Sequence, residues 1–130
     1  MQDLTPNLYA VSQLALSVNN AKNPEASNGA DKPANMPDPA SGSDPDRGGL
    51  TTAGHGQQKH GDREGSAFDR ATGTPRDKNA QGQRTVDSIV NSSDRIDKPN
   101  RFGGIDVLQG PGERGARFGP NGKFTGFLEP

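Results

Sequence analysis

From Lys22 to Arg47 the sequence offers almost nothing to bury, and that gap divides the chain. It reads Pro-Glu-Ala-Ser-Asn-Gly, then Pro-Ala-Asn-Met-Pro-Asp-Pro-Ala-Ser-Gly-Ser-Asp-Pro-Asp. No apolar face there can offset the entropy of ordering a backbone, so the segment is expected to be a disordered linker. Apolar side chains make only 27% of the 130 residues, and Gly and Pro number 18 and 11. Ordinary globular chains reach about 45–50% on a count that includes Gly. What apolar content exists lies mostly behind the linker. One compact domain is therefore expected over 48–130, behind a front segment, 1–47, of one marginal helix and the Pro/Asp/Gly-rich linker. In that helix Leu4, Leu8, Val11, Leu14, Ala15 and Val18 recur at helical spacing after Thr5-Pro6.

The charge splits at the same place. Met1 to Asp46 holds two cations, Lys22 and Lys32, against six anions, a net of −4. The whole chain carries −1, so the remainder carries +3. A mildly cationic domain behind an acidic leader suits a polyanionic ligand. Cys is absent, which removes any disulfide, thiolate metal site or Cys nucleophile. That suits a reducing cytosol, and equally a chain that unfolds to cross an envelope. The acidic start Met1-Gln2-Asp3-Leu4 and the polar breaks at Ser12, Gln13 and Ser17 do not make a signal peptide. No run approaches the ~20 apolar residues of a membrane span. If the chain is exported, something else is expected to carry it.

Behind the linker, Leu50–His60 reads as a helix capped by Thr51 or Thr52, with Leu50, Ala53 and Gln57 on one side. Gly54, Gly56 and Gly61 weaken it by up to about 1 kcal/mol each in a helix interior, so it needs a sheet to pack on. Gly61–Lys78 reads as a loop anchored by Phe68. Asn79 is an expected N-cap for a second helix from Ala80 to about Asn91, with a buried stripe of Val86, Ile89 and Val90. From Arg95 onward the period becomes two. Phe102, then Ile105 and Val107, read as strands about a Gly103-Gly104 turn or bulge. Ala116–Phe118 and Lys123–Leu128 read as strands joined by the Gly119-Pro120-Asn121-Gly122 turn. Phe124, Gly126 and Leu128 are expected on one face, Thr125 and Phe127 on the other. The expected fold class is α+β: two N-terminal helices packed on a three- to four-stranded antiparallel sheet, preceded by the disordered linker.

The chemistry concentrates in Gly54-His55-Gly56-Gln57-Gln58-Lys59-His60-Gly61-Asp62-Arg63, which holds both histidines. His55 and Lys59 are i,i+4 neighbours on a helix, with His60 turned away from them. Cleaving RNA without metal needs a base for the 2′-hydroxyl, an acid for the leaving 5′-oxygen and cations for the phosphorane. Histidine suits the proton transfers, and lysine or arginine suits the charge. The other reading of these histidines is as solvated or capping residues of a Gly-rich helix end. His-x4-His is not a zinc pattern, and no carboxylate cluster accompanies it, so no metal or other cofactor is expected. Arg101, Arg114, Arg117, Lys123 and Thr125 form a second set on the strands, with Arg117 and Thr125 expected on neighbours. Arginine's planar fork suits phosphate; each can equally be a solvent-facing strand residue. Ser66 can orient a phosphate or end a turn.

Four blocks in order carry a resemblance. They are Gly54-His55…Lys59-His60-Gly61…Arg63…Gly65-Ser66-Ala67-Phe68; Asn79-Ala80-Gln81-Gly82-Gln83 with Val86, Ile89 and Val90; Arg101-Phe102-Gly103…Ile105-Asp106-Val107; and Arg114-Gly115-Ala116-Arg117-Phe118 through Phe124-Thr125-Gly126-Phe127-Leu128-Glu129-Pro130. Together they resemble the C-terminal toxin domains of bacterial polymorphic and contact-dependent growth inhibition proteins, of the barnase/EndoU/colicin/RelE-like ribonuclease class. The resemblance implies an antibacterial toxin: a metal-independent endoribonuclease, often of tRNA, neutralised by a cognate immunity protein. It also implies secretion as the C-terminal part of a larger effector, action in the target-cell cytoplasm, elongation factor Tu as a candidate host partner, and a monomer. Many relatives carry His ahead of the Arg-Phe-Gly strand, where this chain has Pro99-Asn100.

The residue roles expected on chemical grounds are His55 and His60 in proton transfer, Lys59 and Arg117 on the phosphate charge, and Thr125 positioning it. Arg63, Arg101, Arg114 and Lys123 are expected RNA contacts. The rival readings are a non-catalytic protein-binding module that docks a sheet edge and a metal-dependent DNase toxin.

Overall fold

The computed structural model describes residues 35–130. The helix expected over Leu4–Val18 and the front of the linker lie outside them.

The rest of the supposed linker is folded. Asp38 caps a 3-10 helix, Pro39–Ser43, by accepting the Ala40 N–H at 3.1 Å. Ser41 and Gly42 are buried within it. Gln83 donates to the Pro39 carbonyl at 2.6 Å, the Ser43 hydroxyl donates to Gln83 at 2.8 Å, and the Ser41 hydroxyl accepts the Phe124 N–H. The order comes from backbone and side-chain hydrogen bonds rather than from apolar burial, which is why composition alone reads this stretch as linker. Strand β1, Pro45–Arg47, then pairs antiparallel with β2, Leu50–Thr51. The two residues between them, Gly48 and Gly49, have φ of +63° and +79°, the left-handed pair that a tight hairpin turn demands.

Helix α1, Thr52–Gly61, is capped by Thr51, whose hydroxyl accepts the Gly54 N–H at 3.0 Å. Helix α2, Pro75–Val90, begins earlier than expected, with a Thr74–Asp77 capping box and Pro in its first turn. Asn79 is thus not an N-cap. It sits inside α2 and reaches across to the hairpin, accepting the Thr51 N–H at 2.8 Å and donating to the Gly49 carbonyl at 3.0 Å. At Gly82 a Cβ would run into the Ala53 backbone, so a glycine there lets the two helices close on each other.

Strands β3 (Ile96–Pro99), β4 (Ile105–Leu108), β5 (Gly115–Phe118) and β6 (Phe124–Leu128) form an antiparallel sheet in that order. The core joins Ala53, Val86, Ile89 and Val90 of the helices and Phe68 of their connection to Val107, Ala116, Phe118, Phe124 and Phe127 of the sheet. The stripe expected on the second helix is the one observed. The expected fold class is corrected in its order: the helices lie in the middle of the domain. A 3-10 helix and a two-stranded sheet come before them, and the four-stranded sheet follows.

Two local expectations also change. The strand before the Gly103-Gly104 turn is Ile96–Pro99, and Phe102 stands in the turn after it, 52% exposed. In β6 the alternation breaks. Phe118 pairs with Phe124 while Arg117 pairs with Gly126, so Thr125 is the extra residue of a bulge. Phe124 and Phe127 therefore both face the core, with ring centroids 4.9 Å apart.

Candidate active site

Helix α1 runs alongside β6 in the same direction. At its start Thr52 donates to the carbonyl of Asp44, whose carboxylate pairs with Lys123 at 2.9 Å. Midway, a Cβ on Gly56 would lie 2.9 Å from the Phe127 ring. At its end His60 reaches Glu129. Ala53 and Gln57 turn toward α2, Gln57 accepting from the Thr85 hydroxyl at 2.7 Å. At about 100° per residue, His55 and Lys59 fall on the opposite flank, away from α2.

On that flank the His55 Nδ1 lies 2.7 Å from Asp46 Oδ2, and its Nε2 lies 3.3 Å from Arg47 Nη2. Arginine only donates, so Nε2 accepts and the Nδ1 proton goes to Asp46. The His55 side chain is 27% exposed and Asp46 34%. Lys59, one turn on, is exposed. This imidazole has its tautomer fixed by a carboxylate and two cations near it. Asp46 and Arg47 arrive on the hairpin, in the stretch read as linker, so sequence reasoning missed both. The signal available was the Gly48-Gly49 pair, a hairpin turn that folds them back on the helix.

His60 is set differently. It is 8% exposed. Its ring lies 5.2 Å from Phe68 and 6.2 Å, edge-on, from Phe127. Nδ1 donates to Glu129 Oε2 at 2.9 Å. Glu129 also accepts the Ser66 hydroxyl at 2.8 Å and the Ala67 N–H at 3.1 Å. Burial pushes the Glu129 carboxyl up, but the hydrogen bonds from Ala67, His60 and Ser66 outweigh it and hold the group below the usual range. Arg63 stands 3.4 Å from the His60 Nδ1 and, with Ser66 and Glu129, lines an open groove of about 380 Å³. The two histidines therefore belong to separate clusters.

The third cluster lies on the sheet face that the helices leave open. Arg117 grips Asp106 through Nε at 2.8 Å and Nη2 at 2.9 Å. The Arg117 hydrogen bonds hold the Asp106 carboxyl below its usual range against the opposing effect of burial, and Asp106 in turn raises Arg117. The Thr125 hydroxyl donates to the Arg117 carbonyl at 3.2 Å, so Arg117 and Thr125 are neighbours as expected. Arg101 and Arg117 each hold a guanidinium carbon 5.0 Å from the Phe102 ring centroid. Asp106 was passed over in the sequence because a strand carboxylate has no signature until its partner across the ladder is known. Arg114 is built into the scaffold: it donates to Gln109 at 2.7 Å and stacks 5.2 Å above Phe68. Lys123 is engaged with Asp44. Among the described residues no three His, Asp or Glu side chains converge as a metal-binding group, and no helix is long and apolar enough to cross a membrane.

The family model for the CdiA C-terminal tRNase toxin domain matches residues 39–129, beginning at the 3-10 helix. Among solved structures, the chain is similar to the toxic C-terminal tip of CdiA from Pseudomonas aeruginosa, determined in complex with an immune protein. The two are 25% identical over 68% of this chain and 97% of that one, with a TM-score of 0.52. No curated protein matches. The family match spans most of the sequence, including every element described above, so the chain belongs to the CdiA C-terminal tRNase toxin domain family and is an antibacterial tRNA endoribonuclease.

Proposed function

We propose that the domain cuts tRNA without a metal, by attack of a 2′-hydroxyl on its own phosphate, and that His55 moves the proton. The observation that carries this reading is the His55 setting: a partly exposed imidazole held by Asp46 at 2.7 Å, with Arg47 on Nε2 and Lys59 one turn away. As an RNA phosphate arrives, Arg47 transfers its hydrogen bond to the phosphate. Nε2 is then free to accept the 2′-hydroxyl proton as the 2′-oxygen bonds to phosphorus; the P–O5′ bond breaks in the same displacement, and the leaving 5′-oxygen takes a proton from water on this open flank. Asp46 stabilises the imidazolium that forms, and Arg47 and Lys59 meet the charge growing on the phosphorane. Arg117 and Thr125 hold the RNA on the other side of β6. Arg117 contributes a guanidinium fixed by Asp106, with Nη1 free for phosphate, and Thr125 offers its hydroxyl oxygen. His60, buried and tied to Glu129, holds the end of the chain to α1 rather than transferring a proton.

A cognate immunity protein blocks the toxin, as the complexed Pseudomonas aeruginosa relative supports. In this reading the domain travels as the C-terminal part of a larger secreted effector to the target cytoplasm, and the front segment, 1–47, is a remnant of the delivery region as far as residue 39, where the family match starts. The test is cleavage of total tRNA by purified protein in EDTA, with and without elongation factor Tu, for wild type and His55→Ala. Wild-type cleavage lost in His55→Ala supports the reading. Intact tRNA with wild type under both conditions sinks it.

A further inference from the structure

Phe102 and Met36 are the exposed large hydrophobic side chains among the described residues, and Phe102 is the more open. About half of Phe102 meets water even with the Arg101 and Arg117 guanidiniums against its ring, an unfavourable exposure for a phenyl group. The Asn100 amide is fully committed. Its Oδ1 accepts the Phe102 N–H at 2.9 Å and the Gly104 N–H at 3.0 Å, while its Nδ2 donates to Asp106 at 3.0 Å and to the Phe118 carbonyl at 3.1 Å. The backbone of the turn that carries Phe102 is thereby fixed to the strands β4 and β5. Phe102 walls one side of a groove of about 370 Å³, completed by Arg117, Gly119, Pro120 and Thr125. That volume falls within the ~300–1,000 Å³ of small-ligand sites. The wall is almost wholly apolar, yet two guanidiniums lie against the ring at its mouth.

We propose that this groove is a nucleobase subsite, in which one unpaired base of the tRNA stacks on Phe102 while its flanking phosphates meet Arg101 and Arg117. A flat apolar face beside fixed cations matches a base with its phosphates: the π-face takes the ring, and the charges meet opposite charge. An apolar protein side chain would use the ring but leave both guanidiniums facing a desolvated surface. The subsite belongs to the tRNase reading given above and adds to it the demand that the cut lies beside an unpaired nucleotide.

Because the chain contains no Trp, Phe102→Trp places a single fluorescent reporter in the groove. Stopped-flow mixing with bulk tRNA should quench its emission within the binding phase. In parallel, Phe102→Ala should lower kcat/KM for tRNA cleavage by about 5- to 100-fold, the range of one base–aromatic stack. Phe102→Tyr should restore it, and all three variants should melt near wild type, because the ring is exposed. Wild-type cleavage with no Trp quenching and an unimpaired Phe102→Ala overturns the subsite and leaves the tRNase reading standing. Quenching without any cleavage by wild type keeps the subsite and defeats the reading. If Phe102→Ala weakens immunity-protein binding while tRNA cleavage stays intact, the groove is a protein contact and the proposal is wrong.

Discussion

Replacing each histidine by alanine should separate structure from chemistry. His60→Ala removes a ring packed against Phe68 and Phe127 at 5.2 and 6.2 Å. Aromatic contacts of this kind contribute about 0.5–1.5 kcal/mol each beyond their burial. The substitution also removes one charge-assisted hydrogen bond to Glu129, discounted because Ser66 and the Ala67 N–H still satisfy that carboxylate. Together these give about 2–4 kcal/mol, which for a domain of this size lowers Tm by about 10–25 °C. His55→Ala breaks only a partly exposed pair, worth about 0–1 kcal/mol and a Tm change of at most about 5 °C. Its cost is catalytic, about 10²–10⁴-fold in tRNA cleavage. Circular-dichroism melts and tRNA cleavage in EDTA, run below the Tm of both variants, read the two effects. A His60→Ala protein that melts with wild type yet cannot cleave, or a His55→Ala protein that cleaves at more than half the wild-type rate, refutes the assignment.

Asp46→Asn should leave the melt within a few degrees of wild type and slow cleavage by about tenfold or more, since an amide neither fixes the His55 tautomer as well nor stabilises its imidazolium. Asp106→Asn should release Arg117 from its two-pronged grip; cleavage assays should show a raised KM for tRNA. Acid should unfold the domain through Asp106 and Glu129. Both carboxyls lie below their ordinary range in the fold, so the unfolded chain takes up protons first as pH falls. Their contribution is complete above the ordinary carboxylate range and is lost as pH drops through it toward the lower folded values. Urea midpoints should thus hold steady from pH 7 to about 5 and fall below about 4.5, and Asp106→Asn should show a shallower fall.

The parts of the fold that apolar spacing controls were legible in advance. Val86, Ile89 and Val90 marked the buried side of the second helix because their separation of three and four residues is a physical constraint on burial. Pairing across the Gly119–Gly122 turn was legible for the same reason. Phe127 was assigned to the wrong face because one bulged residue, Thr125, reverses every parity after it. Asp38–Ser43 was missed because hydrogen bonds hold it, and these leave no apolar period. The candidate site was half legible: residue type singled out His55, Lys59 and Arg117, but the carboxylate partners of His55 and Arg117 were not visible. Asp46 meets His55 only once the hairpin turns, and Glu129 meets His60 across 69 residues.

That separation has a consequence for timing. The contact between Ser41 and Phe124 spans 83 residues, and the one between His60 and Glu129 spans 69. Both end on or just past β6, the strand against which α1 lies. Loops this long are slow to close, and their entropy is lost before any contact compensates it. Until β6 has joined the sheet, α1, the helix that carries His55, therefore lacks the Phe127 and Glu129 contacts that seat its middle and its end.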